Sequence, residues 1–331
     1  MVDTDDRAAR RAWFRSAIEY LHRQVATIDD GSPAEYIPEL ASVDPDRFAI
    51  SAVTLDGVHL GAGDTAQQFT IQSISKLMMY GLALEQHGRE RVLGRVGVAP
   101  TGERFNAIVL DDEHNRAPNP MVNAGAIAVT DMVRGASIEE RVGVVRSMFA
   151  RYLGREPDVD ERVWESERRT GNRNRAIAYL MLDRGIIDDR VEATLDLYFA
   201  QCSVLVTADD LATIAATIAA HGTHPETGEQ VVSPAVARDM MTVALTCGMY
   251  DYAGEWAFAV GVPAKSGVGG GIIGMLPGVG GLAVFSPRLD EHGHSVRGLR
   301  VFEALSTGFD IHLFDPDRPW HRRGTDAQSR H

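Results

Sequence analysis

Two lysines stand out in this chain because every other basic side chain is an arginine. Of the 33 lysine and arginine residues, only Lys76 and Lys265 are lysines. A buried lysine amine can lose its proton, whereas an arginine guanidinium stays charged inside a protein. We therefore expect both lysines to occupy positions where arginine would fail, such as a site that needs a neutral amine.

Lys76 closes the motif Ser73-Ile74-Ser75-Lys76, at a predicted junction between a strand and a helix. Residues three apart share one face of a helix, so we expect the Ser73 hydroxyl and the Lys76 amine to hydrogen-bond. A neutral amine can take the proton of a serine nucleophile, provided that its pKa falls from about 10.4 toward 7. Burial and a nearby cation, which we assign to Lys265, would both lower that pKa.

Lys265 begins the motif Lys265-Ser266-Gly267, which is followed by a run of glycines. The spacing Gly269-x-Gly271-x-x-Gly274 matches a dinucleotide-binding loop, but such a loop must lead directly into a helix. The next residues, MLPGVGGLAVFSP, contain too much glycine and proline for a helix and predict two strands joined at Pro277-Gly278. Ser-x-x-Lys together with Lys-[Ser/Thr]-Gly is instead the signature of penicillin-recognising serine enzymes.

Composition and charge restrict the class of partner. The chain is 44% hydrophobic and 24% charged, as expected for a globular protein, and its net charge is −13. An acidic surface opposes binding to nucleic acid or anionic lipid, so we expect neither partner. No signal-peptide pattern or apolar run of about 18 residues is present, which predicts a cytoplasmic protein. Cys202 and Cys247 lie in apolar segments without disulfide or zinc spacing, and we expect buried thiols, no metal and no cofactor.

Strand patterns occupy both ends of the chain and helical patterns fill its middle. Residues 7–27 predict an amphipathic helix, with Phe14, Ile18, Leu21 and Val25 on one face. A hairpin is predicted around Asp56-Gly57, and a short strand leads into a helix that ends at Gly88. Tight hairpins are antiparallel. The predicted class is therefore α+β, with one antiparallel sheet built from N- and C-terminal strands, flanked by helices, and an inserted all-helical lobe.

These patterns also suggest a division of the chain. Residues 1–30 would form an N-terminal helical extension, and residues 31–315 a single catalytic domain. Its sheet lobe would span about 31–75 and 250–315, and its helical lobe about 90–245. The polar residues 316–331 are predicted to be disordered.

Five segments, in this order along the chain, resemble the serine-dependent glutaminase family. They are QSISK, NPMVNAGAI, SERRTGNRNRA, YFAQCS and AKSGVGGGI. The resemblance extends from about Tyr36 to the final predicted helix. It implies a β-lactamase-like fold and hydrolysis of L-glutamine to L-glutamate and ammonia through a γ-glutamyl-serine ester. It also implies a homodimer or homotetramer.

The resemblance implies roles for the residues of the two lysine motifs and their surroundings. Ser73 would be the nucleophile and Lys76 its general base. Tyr250 would relay protons beside them, and Tyr36 would be a second active-site tyrosine. The backbone N–H of Val268 would complete an oxyanion hole with that of Ser73, which lies where a helix begins.

Four further residues, together with Lys265 as a cation beside the dyad, complete the implied site. Asn123, Glu167, Asn174 and Tyr198 would hold the amino-acid substrate. The chemistry of the residues agrees, because a buried substrate ammonium needs an anion such as Glu167 and a buried carboxylate needs donors such as the asparagine amides.

Other interpretations remain open at this stage. Glu167 could lie on a solvated face, Tyr198 and Tyr250 in a core or at a rim, and Asn123 could cap a helix. The enzyme could be a penicillin-binding or β-lactamase-type acylase, or a catalytically silent member of the fold. His87, His221 and the other histidines form no spaced cluster and receive no role. In HGHSVRG, His294 departs from the family pattern, which has Asn there, and it lies outside the five segments.

Overall fold

The computed structural model describes residues 4–309 and 311–315. Within these residues the chain has eight short strands and two 3-10 turns, at Gln72–Ile74 and Tyr250–Tyr252. The strands are β1 (Ala49–Thr54), β2 (His59–Gly63), β3 (Phe69–Thr70), β4 (Asp158–Val159), β5 (Val204–Val206), β6 (Ala264–Ser266), β7 (Gly271–Leu276) and β8 (Gly280–Phe285).

Helices occupy most of the remaining described chain. They are α1 (Thr4–Val25), α2 (Pro38–Ala41), α3 (Ser75–Leu93), α4 (Asn123–Asp131), α5 (Ile138–Leu153), α6 (Glu161–Thr170), α7 (Asn172–Asp183), α8 (Val191–Cys202), α9 (Ala208–Ala219), α10 (Pro234–Cys247), α11 (Ala253–Ala259) and α12 (Val296–Phe309). None of them, within the described ranges, is long and apolar enough to cross a membrane.

The main sheet combines strands from the two ends of the chain. Its order is β2-β1-β8-β7-β6, and each neighbouring pair is antiparallel. Between β2 and β6 the chain is largely helical. The predicted α+β class, the hairpin at Asp56-Gly57 and the two strands joined at Pro277-Gly278 are therefore confirmed.

The prediction of a single sheet is wrong. A second sheet, with the order β3-β5-β4, joins a strand from the N-terminal region to two strands from the helical region. The predicted strand β3 is only two residues long, and the backbone N–H of Ile71 then bonds to the carbonyl of Val204 at 2.8 Å. This small sheet anchors the segment that leads directly to Ser73.

Each face of the main sheet is covered by a different set of helices. The side chains of Ile50, Ile272 and Val284 point toward α1 and α12, where Ile18 and Phe302 are buried. Residues of the opposite parity pack against the alanine-rich helix α9. This alternation follows from the two-residue repeat of a strand.

Several local predictions can also be compared with the structure. Along α1, Ile18, Leu21 and Val25 are buried and Phe14 is partly buried, as predicted. Helix α3 continues to Leu93, but Gly88 interrupts it with a non-helical backbone, so the predicted end marks a kink. The predicted disorder of residues 316–331 concerns a segment outside the described residues.

Helix α4 approaches the preceding loop so closely that Gly125 has no room for a side chain. A Cβ atom at Gly125 would overlap the backbone carbonyl oxygen of Asn119. Asn119 in turn accepts the backbone N–H groups of Met121 and Val122 through its side-chain oxygen, at 3.0 and 3.2 Å. This close packing fixes the start of α4, where Asn123 lies.

We predict that Gly125→Ala destabilises the protein by about 1–3 kcal/mol, because the loop backbone must move. The matched control is Gly143→Ala, since Gly143 lies in helix α5 with nothing within 4 Å of an added Cβ. That change should stabilise the fold by about 0.4–1 kcal/mol. Urea unfolding of both variants measures the difference, and equal effects would contradict the close packing at Gly125.

Candidate active site

Ser73 lies in a strained turn between the small sheet and helix α3. The preceding residue, Gln72, has a positive φ of 50°, which is uncommon for a residue with a side chain. The Ser75 hydroxyl donates to the Gln72 carbonyl at 2.7 Å and stabilises the turn. Ser73 itself is only 8% exposed. The turn therefore largely shields the serine side chain from bulk solvent.

Lys76 is buried in the first turn of α3, but it does not hydrogen-bond to Ser73 as predicted. No such bond joins the two residues among the described atoms; the amine instead donates to the Asn123 side-chain oxygen at 2.6 Å and to the Met121 carbonyl at 3.2 Å. These two acceptors hold the amine against α4. Burial lowers the pKa of Lys76 to about 8, against the opposing influence of Cys202 and Glu167.

Lys265 is buried on β6, and its amine faces the ring of Tyr250. The amine donates to the Ser266 carbonyl at 2.6 Å and lies 3.9 Å from the centroid of the tyrosine ring. Burial, and then repulsion from Lys76, hold the pKa of Lys265 well below its ordinary value. This repulsion is mutual, so a charge on either amine disfavours a charge on the other.

Tyr250 lies close to both lysine amines. Its ring centroid is 5.6 Å from the Lys76 amine and 5.4 Å from the centroid of the Phe105 ring. Burial raises the pKa of Tyr250 well above its ordinary value, and the influence of Ser73 opposes that rise. The residue has a positive φ of 55°, so its backbone is strained like that of Gln72.

Asn123 connects Lys76 to the other predicted substrate-binding amides. Its side-chain nitrogen donates to the Asn174 side-chain oxygen at 2.9 Å, and its oxygen accepts from the Tyr198 hydroxyl at 3.4 Å. Asn123 is the first residue of α4 and does not act as its N-cap, which is Val122. The alternative interpretation of Asn123 as a helix cap is therefore wrong.

Glu167, on helix α6, is almost fully buried and contacts Tyr36. It is 7% exposed, which contradicts the alternative of a solvated face. Its carboxylate accepts from the Tyr36 hydroxyl at 3.4 Å, and that hydroxyl also lies 3.3 Å from the Gln72 side-chain oxygen. Burial raises the pKa of Glu167 to about 7, although Tyr36, Lys76 and Gln72 oppose the rise. Tyr36 is 50% exposed, with its hydroxyl turned inward.

Val268 lies in the turn between β6 and β7, which packs against the Ser73 turn. A Cβ atom at the neighbouring Gly267 would lie 3.0 Å from the Ile71 carbonyl oxygen. The side chain of Val268 packs against the small cluster formed by Ile37, Leu40 and Val163. Within the described chain, its backbone N–H has no acceptor. A backbone donor without a protein acceptor can donate to a ligand.

His294 belongs to this group of residues, although it lies outside the five segments that resemble the family. It is fully buried, its Nδ1 atom lies 3.0 Å from the Ser266 hydroxyl, and its ring stacks on that of Tyr250 at 6.0 Å between centroids. Burial lowers the pKa of His294 to about 4, and Lys265 contributes to the decrease. The sequence signal that could have drawn attention to His294 was its departure from the family pattern, which has Asn at this position.

Two other residues lie next to this site, although the sequence gave no sign that they would: Phe105 and Cys202. Phe105 lies 6.0 Å from the Lys76 amine, measured to its ring centroid. Cys202 is buried, as expected for both cysteines, with its sulfur 4.0 Å from the Ser75 hydroxyl. Burial raises the pKa of the Cys202 thiol to about 12, so it is not a thiolate nucleophile.

The arrangement suits acyl transfer to a serine. A nearly buried hydroxyl lies with two amines of lowered pKa, and lowered amine pKa values are what a general base near neutral pH requires. The amides of Asn123 and Asn174 and the carboxylate of Glu167 could bind a small zwitterion. Among the described residues, no group of three or more His, Cys, Asp or Glu side chains is placed to hold a metal ion.

Comparison with known proteins finds similarity to glutaminases over most of the chain, in agreement with the five segments noted above. A family model described as Glutaminase matches residues 31–314. A glutaminase of Nostoc sp. (strain PCC 7120) is 56% identical over 298 residues, which cover 90% of this chain and 89% of the relative. A glutaminase of Trichormus variabilis is 55% identical over 300 residues, covering 91% of this chain and 90% of the relative.

Solved structures are similar in backbone as well. A structure described as Mglu in its glutamate form has a TM-score of 0.88 at 43% identity, and the match covers 92% of this chain and 70% of that one. A probable glutaminase, ybaS, has a TM-score of 0.87 at 36% identity, with 91% and 97% covered.

We predict that His294 makes stability depend on pH in the acid range. The unfolded chain takes up a proton at His294 near pH 6.5, whereas the folded protein does so only near pH 4. The unfolded state therefore binds more protons between these values, and the free energy of unfolding falls as pH decreases from about 6.5 to 4. This one residue should account for about 2–3 kcal/mol of the loss.

Urea unfolding of the wild type and of His294→Asn at several pH values measures this contribution. The asparagine variant should lose less stability than the wild type between pH 6.5 and 4, because its side chain does not titrate. Parallel pH dependences for the two proteins would contradict a buried, neutral His294.

Proposed function

The chain belongs to the glutaminase family, and from this premise we propose that it hydrolyses L-glutamine to L-glutamate and ammonia through an acyl-enzyme at Ser73. One observation carries the serine mechanism: the nearly buried Ser73 is three residues from Lys76, and the Tyr250 ring lies near two buried amines whose pKa values are lowered. The family match over residues 31–314 also supports a catalytic domain at 31–315, preceded by an N-terminal extension of residues 1–30.

In the first step, the Ser73 oxygen attacks the side-chain amide carbon of glutamine and forms a C–O bond. The serine proton passes to the neutral Lys76 amine, with Tyr250 as the relay, because that amine is bonded to Asn123 rather than to Ser73 and lies 5.6 Å from the Tyr250 ring centroid. Return of a proton to the amide nitrogen allows the C–N bond to break, and ammonia leaves. Water then hydrolyses the γ-glutamyl ester by the same proton path, which restores Ser73.

The oxyanion that forms on the substrate needs donors fixed in advance. We assign this role to the backbone N–H groups of Ser73 and Val268. The support is that the turn carrying Val268 packs on the Ser73 turn and that its N–H has no acceptor in the described chain. Such preorganised donors stabilise a developing negative charge without reorganisation.

The α-ammonium and α-carboxylate groups of the substrate would bind on the side of the site away from Lys265. We assign the ammonium group to the Glu167 carboxylate, with Tyr36 holding that carboxylate in place. The α-carboxylate is assigned to the amides of Asn123 and Asn174 and to the Tyr198 hydroxyl. A bound ammonium group would favour the ionised form of Glu167, whose pKa burial raises to about 7.

We predict that Ser73→Ala abolishes ammonia release from L-glutamine, because it removes the nucleophile. Lys76→Arg keeps the charge but cannot provide a neutral amine, so kcat should fall by about 10²–10⁴-fold. Mass spectrometry of quenched wild-type reactions should find a γ-glutamyl ester on the peptide that contains Ser73. Near-normal activity of Lys76→Arg would overturn the general-base role.

We also predict two steps in the pH dependence of kcat/KM. The value should decrease as pH falls below about 8, because Lys76 then becomes protonated. It should decrease more steeply below about 7, because Glu167 loses the charge that binds the substrate ammonium.

Glu167→Gln separates the two steps. This variant should raise KM and remove the lower step, while the step near pH 8 remains. If Glu167→Gln left both steps and KM unchanged, Glu167 would not be the partner of the substrate ammonium group.

A further inference from the structure

The loop of residues 290–294, which precedes α12, forms a compact turn next to the active site. The Asp290 side-chain oxygen accepts the backbone N–H groups of His292 and His294, each at 2.9 Å. The backbone N–H of Asp290 also donates to the His294 carbonyl at 2.9 Å. These bonds fix the relative positions of the two histidine side chains. We call this segment, residues 290–294, the histidine loop.

The first histidine contacts the turn that carries Tyr250. His292 Nδ1 lies 3.1 Å from a carboxylate oxygen of Asp251, the residue that follows Tyr250. The Tyr252 ring, at the end of the same turn, packs on the rings of both histidines with centroids 6.4 and 5.9 Å away. The loop therefore contacts both residues that follow Tyr250 in this turn.

The second histidine contacts the strand that carries Lys265. His294 Nδ1 lies 3.0 Å from the Ser266 hydroxyl, and the Ser266 carbonyl accepts the Lys265 amine. The ring of His294 is nearly parallel to that of Tyr250, with 14° between their planes. One buried side chain thus contacts both the strand of Lys265 and the ring of Tyr250.

Gly293, between the two histidines, approaches the third wall of the site. It has a φ of +84°, and a Cβ atom there would lie 3.5 Å from a methyl carbon of Val268. The histidine loop therefore contacts the segments that carry Tyr250, Lys265 and Val268.

We propose that His292 and His294 are positioning residues that hold Tyr250 and Lys265 in their reactive geometry. Tyr250 needs such support because its positive φ is a strained conformation that persists only when surrounding contacts enforce it. Lys265 lies on a three-residue strand at the edge of the sheet, where backbone pairing alone gives limited support. The proposal rests on the function proposed above, since it deepens the role of that site.

The link between His294 and Ser266 gives the sharpest test. In His294→Asn, the side-chain amide can reproduce the position of Nδ1 and keep the bond to Ser266, whereas His294→Ala cannot. We expect His294→Ala and Ser266→Ala each to lower kcat by about tenfold, as loss of one positioning hydrogen bond does. KM should change little, because Glu167, Asn123 and Asn174 are untouched.

The double variant His294→Ala/Ser266→Ala should be no slower than either single variant, because both changes remove the same bond. His294→Asn should recover most of the wild-type kcat. A multiplicative loss in the double variant, or no difference between the asparagine and alanine variants, would overturn the proposal.

Hydrogen exchange gives a second measurement that does not depend on catalysis. In His292→Ala and His294→Ala, amides near Tyr250 and Lys265 should exchange faster than in the wild type, while the rest of the chain is unchanged. His59→Asn is the matched control. His59 lies on the edge strand β2, and its substitution removes a histidine–carboxylate contact with Glu226. It should leave exchange near Tyr250 and Lys265 unaltered.

The two measurements distinguish failure of this proposal from failure of the proposed function. If the wild type released no ammonia from L-glutamine but the loop variants increased exchange near Tyr250, the function would fail and the positioning role would stand. If the wild type were active and the loop variants matched it in both kcat and exchange, the positioning role would be overturned.

Discussion

The burial of two lysine amines around one tyrosine ring is the constraint on which the rest of the site depends. The Lys265 amine lies 3.9 Å and the Lys76 amine 5.6 Å from the Tyr250 ring centroid. Two buried cations so close together would cost several kcal/mol each in lost hydration, with repulsion added. The chain therefore has to keep at least one amine neutral, and a neutral amine beside a serine is the species that can accept a proton.

The fold brings these groups together from distant parts of the sequence. Lys76 follows the small sheet, where β3 pairs with β5, and Lys265 lies on the edge strand β6 of the main sheet. Tyr250 comes from a separate 3-10 turn between α10 and α11. Since each group is held by a different element, the site forms only when both sheets and the helices between them are folded. The strained backbone at Gln72 and Tyr250 is consistent with this dependence on tertiary contacts.

The sequence predicted the elements of the site better than the contacts between them. The strand patterns at both ends predicted the fold class, and the Ser73-to-Lys76 spacing and the scarcity of lysine pointed to residues that the structure places near one another. They could not show that Lys76 bonds to Asn123, which lies 47 positions away, because such a contact depends on how α3 and α4 pack. For the same reason the second sheet and the contacts of His294 were missed. Local spacing specifies which side chains lie on the same side of one helix. It does not specify which residues of other elements pack against that side.

The hydrogen bonds of the two amines explain why arginine is absent from both positions. Lys76 donates to Asn123 and Met121, and Lys265 to the Ser266 carbonyl; each amine would keep these acceptors after losing a proton. An arginine would bring a permanent charge and a larger planar group into the same space. At Lys265 that charge would also face His294, which burial already keeps neutral. The site therefore requires long basic side chains that can lose their charge. Lysine meets this condition and arginine does not.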